Sequence, residues 1–405
     1  MRVLQINNVY GVGSTGKIVQ DLHKHYLEQG IESYVYYARG ECPHDINVFK
    51  ISPEWMGKLQ ALESKITGYM YGDAQYNTYI VKGAIKRLKP DVVHLQCVNA
   101  NAVNIYSILE YLRDHDIPTV LTFHSEIFYT GGCSHAFECE CFKTECIICK
   151  HKNPNHIGFF FDRTSIHFKK LKEIYCSFTE LYITCVSDWV KHRAQLSGML
   201  SSDNKLSVVN NGLNERVFYR RNANSIQSVK QKYGIVGDYF LFVTPNFGDK
   251  NKGGQYFIKL AREYQKINPN LKFVVAGCKE DIDLVNVITI PFTNGQDELA
   301  TLYSGAKATL LFSRRETYSM ITAESLCCGT PVVGFKAGGA ESIALKEASA
   351  FVEYGDLNML SKKLTEISDR EIDRNSIAQI ARNIYSTDHS VKQYLKIYKR
   401  AISNR

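Results

Sequence analysis

The sequence has no long hydrophobic run. No apolar stretch approaches the roughly 20 residues that a helix needs to cross a bilayer. Met1 leads directly into the strand-like RVLQINN, so neither a transmembrane helix nor a signal peptide is expected, and the chain is expected to stay in the cytoplasm. Internal repeats and low-complexity tracts are also missing, which leaves an ordinary globular chain. A basic stripe with interleaved aromatics is missing too, so nucleic acid is not an expected partner.

What is present fits two domains. At 405 residues the chain is long for one core, and its 44% hydrophobic content is ordinary. Strand and helix patterns alternate through both halves, as in parallel sheets. Strands are predicted at 2–7, 32–38, 91–96, 118–123 and 181–186, then at 239–243, 272–276, 287–290, 308–312 and 331–335. The boundary is placed near Gly212, giving domains 1–212 and 213–385, with 386–405 as a terminal helix. Basic and acidic residues number 22 and 21 over 1–212 but 27 and 20 over the remainder, a balance that suits an anionic ligand in the second domain.

The run ETYSMITAESLCCGTPVVGF carries the strongest chemical signal. Glu316 follows an apolar strand, and the spacing predicts a helix over 319–328, stopped by Gly329 and Pro331. A helix start at a strand's carboxyl end offers unpaired N–H groups to a diphosphate. Glu316 and Glu324 would then take hydroxyls on either side of it. A solvated helix face is the plain alternative for two such glutamates.

These residues resemble the E-x7-E, GTPVV and Gly-Gly pattern of the retaining GT-B glycosyltransferases, the glycosyl transferases group 1 or family 4, with Gly338, Gly339 and Glu341 completing it. Asn211 and Gly212 in VVNNGLNERVF resemble that family's interdomain stretch, and Lys252 with Gly253 in DKNKGG its phosphate-binding pair. The Arg that many members carry five residues before that Lys is Phe247 here, leaving the charge to Lys252 and Lys250, with Asn246 as a partial substitute. The resemblance implies an α/β fold of two Rossmann-like, doubly wound domains facing a cleft. The first would be the acceptor side and the second the donor side, with the last helix crossing back to the first. It implies a donor site of Gly13, Ser14, Gly16, Asn246, Lys250, Lys252, Glu316, Tyr318, Ser319, Met320, Ile321, Glu324 and Gly339, with Glu316, His124 and Lys252 as catalytic residues.

NNVYGVGSTGKI matches most of a phosphate loop but has Ile18 where a metal-binding hydroxyl belongs, so a nucleoside triphosphatase is the weaker reading. In the resembled family a Gly-rich loop here lines the cleft, and a tight turn with Ser14 or Thr15 as helix cap is the plain reading. Asp281 and Asp283 form a D-x-D read as a surface loop. His124 follows the strand PTVLTF, where the family places a His facing the cleft; Ser125 stands where an acid is usual, and Glu126 is expected to supply it.

The insertion 131–151 is cysteine-rich and resembles a colanic-acid-type subset concerned with capsule and exopolysaccharide. Cys133, Cys139, Cys146 and Cys149 stand in C-x5-C-x6-C-x2-C spacing, with Cys141, His135 and His151 nearby. Thiolates so spaced suit a structural, tetrahedral Zn²⁺; cysteines that merely pack a loop are the alternative. Phe159, Phe160 and Phe161 precede Arg163, Lys169, Lys170 and Lys172, which suits either an anionic membrane surface or ordinary core. The tail from Val391 has Val391, Tyr394, Leu395, Tyr398 and Ile402 at helical spacing, with Lys392, Lys396, Lys399, Arg400 and Arg405 between them.

The expected activity is retaining hexosyl transfer from a UDP- or GDP-linked sugar to a carbohydrate, lipid-linked acceptor, with no cofactor beyond the zinc and a peripheral place on the inner membrane face. A nucleotide-sugar epimerase of the same fold and a non-catalytic zinc-stabilised binding module are the alternatives.

Overall fold

The computed structural model describes residues 1–41, 44–69, 71–99, 101–149, 158–293 and 295–404. The chain forms two compact units, Met1–Gly212 with Thr387–Arg405, and Leu213–Ser386. The first contains seven parallel strands in the order β3-β2-β1-β4-β5-β6-β7: β1 (Arg2–Val9), β2 (Glu32–Arg39), β3 (Val48–Lys50), β4 (Val92–Leu95), β5 (Thr119–Phe123), β6 (Leu181–Cys185) and β7 (Lys205–Val208). The second has six in the order β10-β9-β8-β11-β12-β13: β8 (Tyr239–Val243), β9 (Lys272–Ala276), β10 (Val287–Ile290), β11 (Ala308–Leu311), β12 (Val332–Phe335) and β13 (Ser349–Val352).

All ten predicted strands are present. β3, β7 and β13 were not predicted, and each closes a sheet edge. They are short and only partly buried, so their sequences lack the continuous apolar run that marks β4, β5, β11 and β12, which are buried throughout. The second core is aromatic: Phe242 stacks on Phe257 at 5.3 Å and meets Phe312 edge-on at 5.3 Å.

The terminal helix Thr387–Ser403 is part of the first unit. It buries Val391, Tyr394 and Tyr398 of the stripe its spacing marked, together with Ile397 and Ala401, while Leu395 and Ile402 are only half-buried and Lys392, Lys396 and Lys399 are exposed. Gly212 is required where the chain leaves this unit, because a Cβ there would lie 2.8 Å from the Cα of Thr387, where the chain returns.

Candidate functional site

In an open parallel sheet, ligands bind beyond the strands' carboxyl ends where strand order reverses. In the second unit that point lies between β8 and β11, which pair directly. The loops leaving these two strands carry Lys252 and Glu316. The structure brings them together: Lys252 Nζ donates to Glu316 Oε1 at 2.8 Å, across 64 positions of sequence. Backbone contacts fix the two loops, since Arg314 N donates to Asn251 O at 2.8 Å. Gly253 has φ 79°, and a Cβ there would stand 2.5 Å from Phe312 O.

Glu316 is held from the other side by the Gly-Gly turn. Its N–H donates to Ala337 O at 2.9 Å, and Gly339 N donates to Glu316 O at 2.7 Å. A Cβ on Gly339 would lie 2.2 Å from Thr317 O, so only glycine lets the turn approach. Glu341 secures the turn by accepting from Ala337 N and Gly338 N at 2.9 Å each.

The next helix runs Met320–Cys327, one residue shorter at each end than its spacing predicted. Ser319 is its N-cap, at φ 79°. A left-handed non-glycine residue costs about 1–3 kcal/mol and persists only where its surroundings hold it; here its Oγ accepts from Thr322 N at 3.3 Å. The cap leaves the N–H groups of Met320 and Ile321 pointing out of the helix start. Glu324, within the helix, accepts from Tyr303 OH at 2.9 Å.

Other predicted residues are placed differently. Phe247 is core, packed edge-on against Phe242 and Phe257, so Lys250 and Lys252 are the cations of its loop nearest the site; Lys250 and Asn246 are exposed. Tyr318 is 2% exposed, so its ring is interior and only its backbone can meet a ligand. Arg314 and Arg315, half-buried immediately before Glu316, were missed; two cations abutting the first glutamate of the motif were the available signal. Asp281 and Asp283 are exposed on the loop after β9, as read. A cavity of about 320 Å³ lies at the opposite, amino ends of the strands, lined by Asp238, Leu271 and Lys307 among others, and has no part in this constellation.

In the first unit the strand order reverses between β1 and β4. The Gly-rich loop leaves β1 there, and the helix Gly13–Glu28 starts directly from it with Val12 as N-cap and no side-chain cap, so Ser14 and Thr15 do not cap it. Gly13 and Ser14 are exposed, whereas Gly16 is buried 3.1 Å from Val9 by the measure of an added Cβ.

His124, beyond β5, is 8% exposed, and burial pushes its pKa down to about 4. Its Nε2 donates to Gln96 Oε1 at 2.8 Å, a tautomer assigned from the amide's other bonds: Gln96 Nε2 lies 3.3 Å from Gln5 Oε1 and 3.2 Å from His94 Nδ1. His94 in turn sits 2.7 Å from Thr122 Oγ1 and 2.6 Å from the hydroxyl of Tyr398, on the terminal helix. A buried polar chain thus joins His124 to that helix.

Glu126 does not serve as the acid beside His124. It is fully buried, accepts from Ala136 N at 2.7 Å and pairs with Arg193 at 3.3 Å. Arg193 also lies over the ring of Phe142 at 4.5 Å, so this carboxylate anchors the cysteine-rich insertion. Cys133 and Cys149 hydrogen-bond one another, and Cys139 and Cys146 are near enough to act on them electrostatically. Among the described residues, however, no three His, Cys, Asp or Glu side chains are arranged to hold a metal ion. His151, at the end of the insertion, lies outside the described residues.

Comparison with known proteins agrees with this architecture. Residues 15–216 match the model of Glycosyltransferase Family 4, and residues 225–384 that of Glycosyl transferases group 1. The putative colanic acid biosynthesis glycosyl transferase WcaC of Escherichia coli K12 is 21% identical over 422 aligned positions, covering 98% of this chain and all of the relative. Among solved structures, Anabaena Alr3699/HepE in complex with UDP superposes with TM-score 0.68 at 13% identity, covering 99% of this chain and 100% of that one. WaaG, a glycosyltransferase involved in lipopolysaccharide biosynthesis, does so with TM-score 0.61 at 15% identity, covering 98% and 99%. With one glycosyltransferase domain model matched in each parallel-sheet unit, the chain belongs to the GT-B glycosyltransferases.

Proposed function

We propose that this glycosyltransferase retains anomeric configuration and moves a hexosyl group from a UDP- or GDP-linked donor to a carbohydrate acceptor in polysaccharide assembly. The observation that carries the proposal is the meeting of Lys252 and Glu316 beside the helix start at Met320, at the switch point of the second sheet. The UDP held by the Anabaena neighbour supports a nucleoside diphosphate as the ligand.

In the reaction, the bond from the anomeric carbon to the diphosphate oxygen breaks and its electron pair leaves with the diphosphate. The acceptor oxygen bonds to the anomeric carbon from the same face, and its proton passes to the departing diphosphate. Stabilising that charge is the main task of the protein, met by Lys252, Lys250 and the N–H groups of Met320 and Ile321. Glu316 orients the donor sugar and Glu324 the ribose. His124, in the first unit, is neutral through its burial and brings no charge to the reaction. Catalysis draws on no cofactor. Zinc on Cys133, Cys139, Cys146 and Cys149 would serve the insertion's stability, and its binding requires these thiols to turn toward a common point.

The test is a panel of nucleotide sugars, with UDP or GDP release followed with and without carbohydrate acceptors. Acceptor-dependent release is expected. Interconversion of donor sugars without release would establish an epimerase instead, and no reaction with any donor would refute the proposal.

A further inference from the structure

The helix Glu54–Thr67, in the first unit, is packed the wrong way round for a water-facing helix. Its buried residues are Gly57, Gln60 and Ser64, and the two polar ones bond inward: Gln60 to Asn77 at 3.4 Å and Ser64 to Asn101 at 2.8 Å. Its outward stripe is apolar: Trp55, Leu59, Leu62 and Ile66 are 59, 54, 52 and 45% exposed. Their spacing of four, three and four residues puts them on one line of the helix surface. Surface helices of soluble proteins bury such a stripe.

The stripe continues into a second apolar element. Phe159 N donates to Lys65 O at 2.7 Å, which ties Phe159, Phe160 and Phe161 to the end of this helix, and the three rings are 56, 72 and 54% exposed. They are therefore not core. Cations stand at their feet, with Lys65 over the Phe159 ring at 5.8 Å and Arg163 over that of Phe161 at 5.3 Å. Lys58 and Lys65, seven positions apart, follow one flank of the stripe. The segments 54–88 and 158–177 together hold nine basic and five acidic residues, against 22 and 21 in the whole of 1–212. Of these cations, Lys65 and Arg163 stand against the exposed rings, while Lys82 and Arg87 turn away to Ser107 and Tyr36.

We propose that this face is a docking surface for an anionic lipid bilayer, with Trp55, Leu59, Leu62, Ile66 and the Phe159–Phe161 rings entering the interface and the flanking cations meeting lipid headgroups. An apolar face buried in the headgroup region with basic residues at its rim is the physical form of interfacial attachment. The proposal extends the reading of function above by making the acceptor lipid-linked and met at the membrane surface.

Co-sedimentation of the full chain with vesicles of equal parts phosphatidylcholine and phosphatidylglycerol tests it. This needs no turnover, so its result is independent of whether the transferase reading holds. Binding is expected at low salt, weakening as salt shortens the screening length toward about 10 Å near 0.1 M. The triple variant Leu59→Gln, Leu62→Gln, Phe160→Ser should lose at least about ten-fold in partitioning, which is roughly 1.4 kcal/mol, with an unchanged unfolding midpoint because these side chains are exposed. Lys58→Gln with Lys65→Gln should reduce the salt dependence. No sedimentation at low salt, or binding indifferent to the triple variant, would overturn the proposal. So would a concentration-dependent dimer that the triple variant disperses, since a second copy would then be the occupant.

Discussion

Replacing Glu316 or Lys252 by alanine separates a donor site from a structural ion pair. The two side chains meet at 2.8 Å with exposures of 17 and 34% respectively. A pair this open to water contributes about 0–1 kcal/mol to stability, so either variant should lower the unfolding midpoint by no more than about 4 °C. A charge-assisted contact to donor sugar or diphosphate is worth roughly 1.5–3 kcal/mol in the transition state, and its loss should cut kcat/KM by roughly 10- to 150-fold. Because the residues touch each other, the double variant should lose less than the product of the single losses. The assay is acceptor-dependent release of nucleoside diphosphate, with thermal unfolding recorded on the same preparations. A variant within two-fold of wild type would refute the assignment. Activity lost in step with a collapse of the midpoint would make the pair structural.

The polar chain behind His124 gives a stability prediction: Tyr398→Phe removes the hydroxyl 2.6 Å from His94 and 3.1 Å from Tyr26, and should cost roughly 1–3 kcal/mol in urea unfolding, whereas an unchanged midpoint would show the terminal helix to be held by packing alone. His124, with a folded pKa of about 4 against an ordinary 6.5, is neutral through the physiological range, so its titration should be absent from the pH–rate profile between about 6 and 8. Because the unfolded chain binds that proton more readily, His124 supports stability above about pH 6.5, and roughly 3 kcal/mol is lost as pH falls toward 4; a His124→Asn variant should show a weaker acid sensitivity in a pH series of unfolding midpoints, the share of His94, also lowered by burial, remaining. Elemental analysis of purified protein should find about one zinc per chain, lost together with stability in Cys146→Ser, Cys149→Ser; metal-free protein of unchanged stability would leave the cysteines as packing residues.

The interior of both sheets was legible because buried parallel strands are continuous apolar runs. The edge strands β3 and β7 were not, since half-buried segments such as Val48–Lys50 carry no such run. Glu316 and Ser319 were legible as a motif whose spacing places strand end, loop and helix start in order, whereas Lys252, 64 positions away, was named only through the family resemblance of DKNKGG. The role of Glu126 was misjudged because its partners, Arg193 and Ala136, are set by how the insertion folds back. The link between His124 and the terminal helix includes a bond spanning 304 positions, beyond any local pattern. The helix Glu54–Thr67 shows a further limit. Periodicity identifies two faces, but only the packed domain reveals that the polar one was turned inward.

Hydrogen exchange of the full chain with and without saturating UDP or GDP tests the central claim most directly, because it locates the nucleotide. If the diphosphate lies at the carboxyl ends of β8 and β11, slowed exchange should concentrate in the segments 246–254 and 314–324, with the amides of Met320 and Ile321 among the most protected. Protection confined to 11–17, or none with either nucleotide, would contradict it.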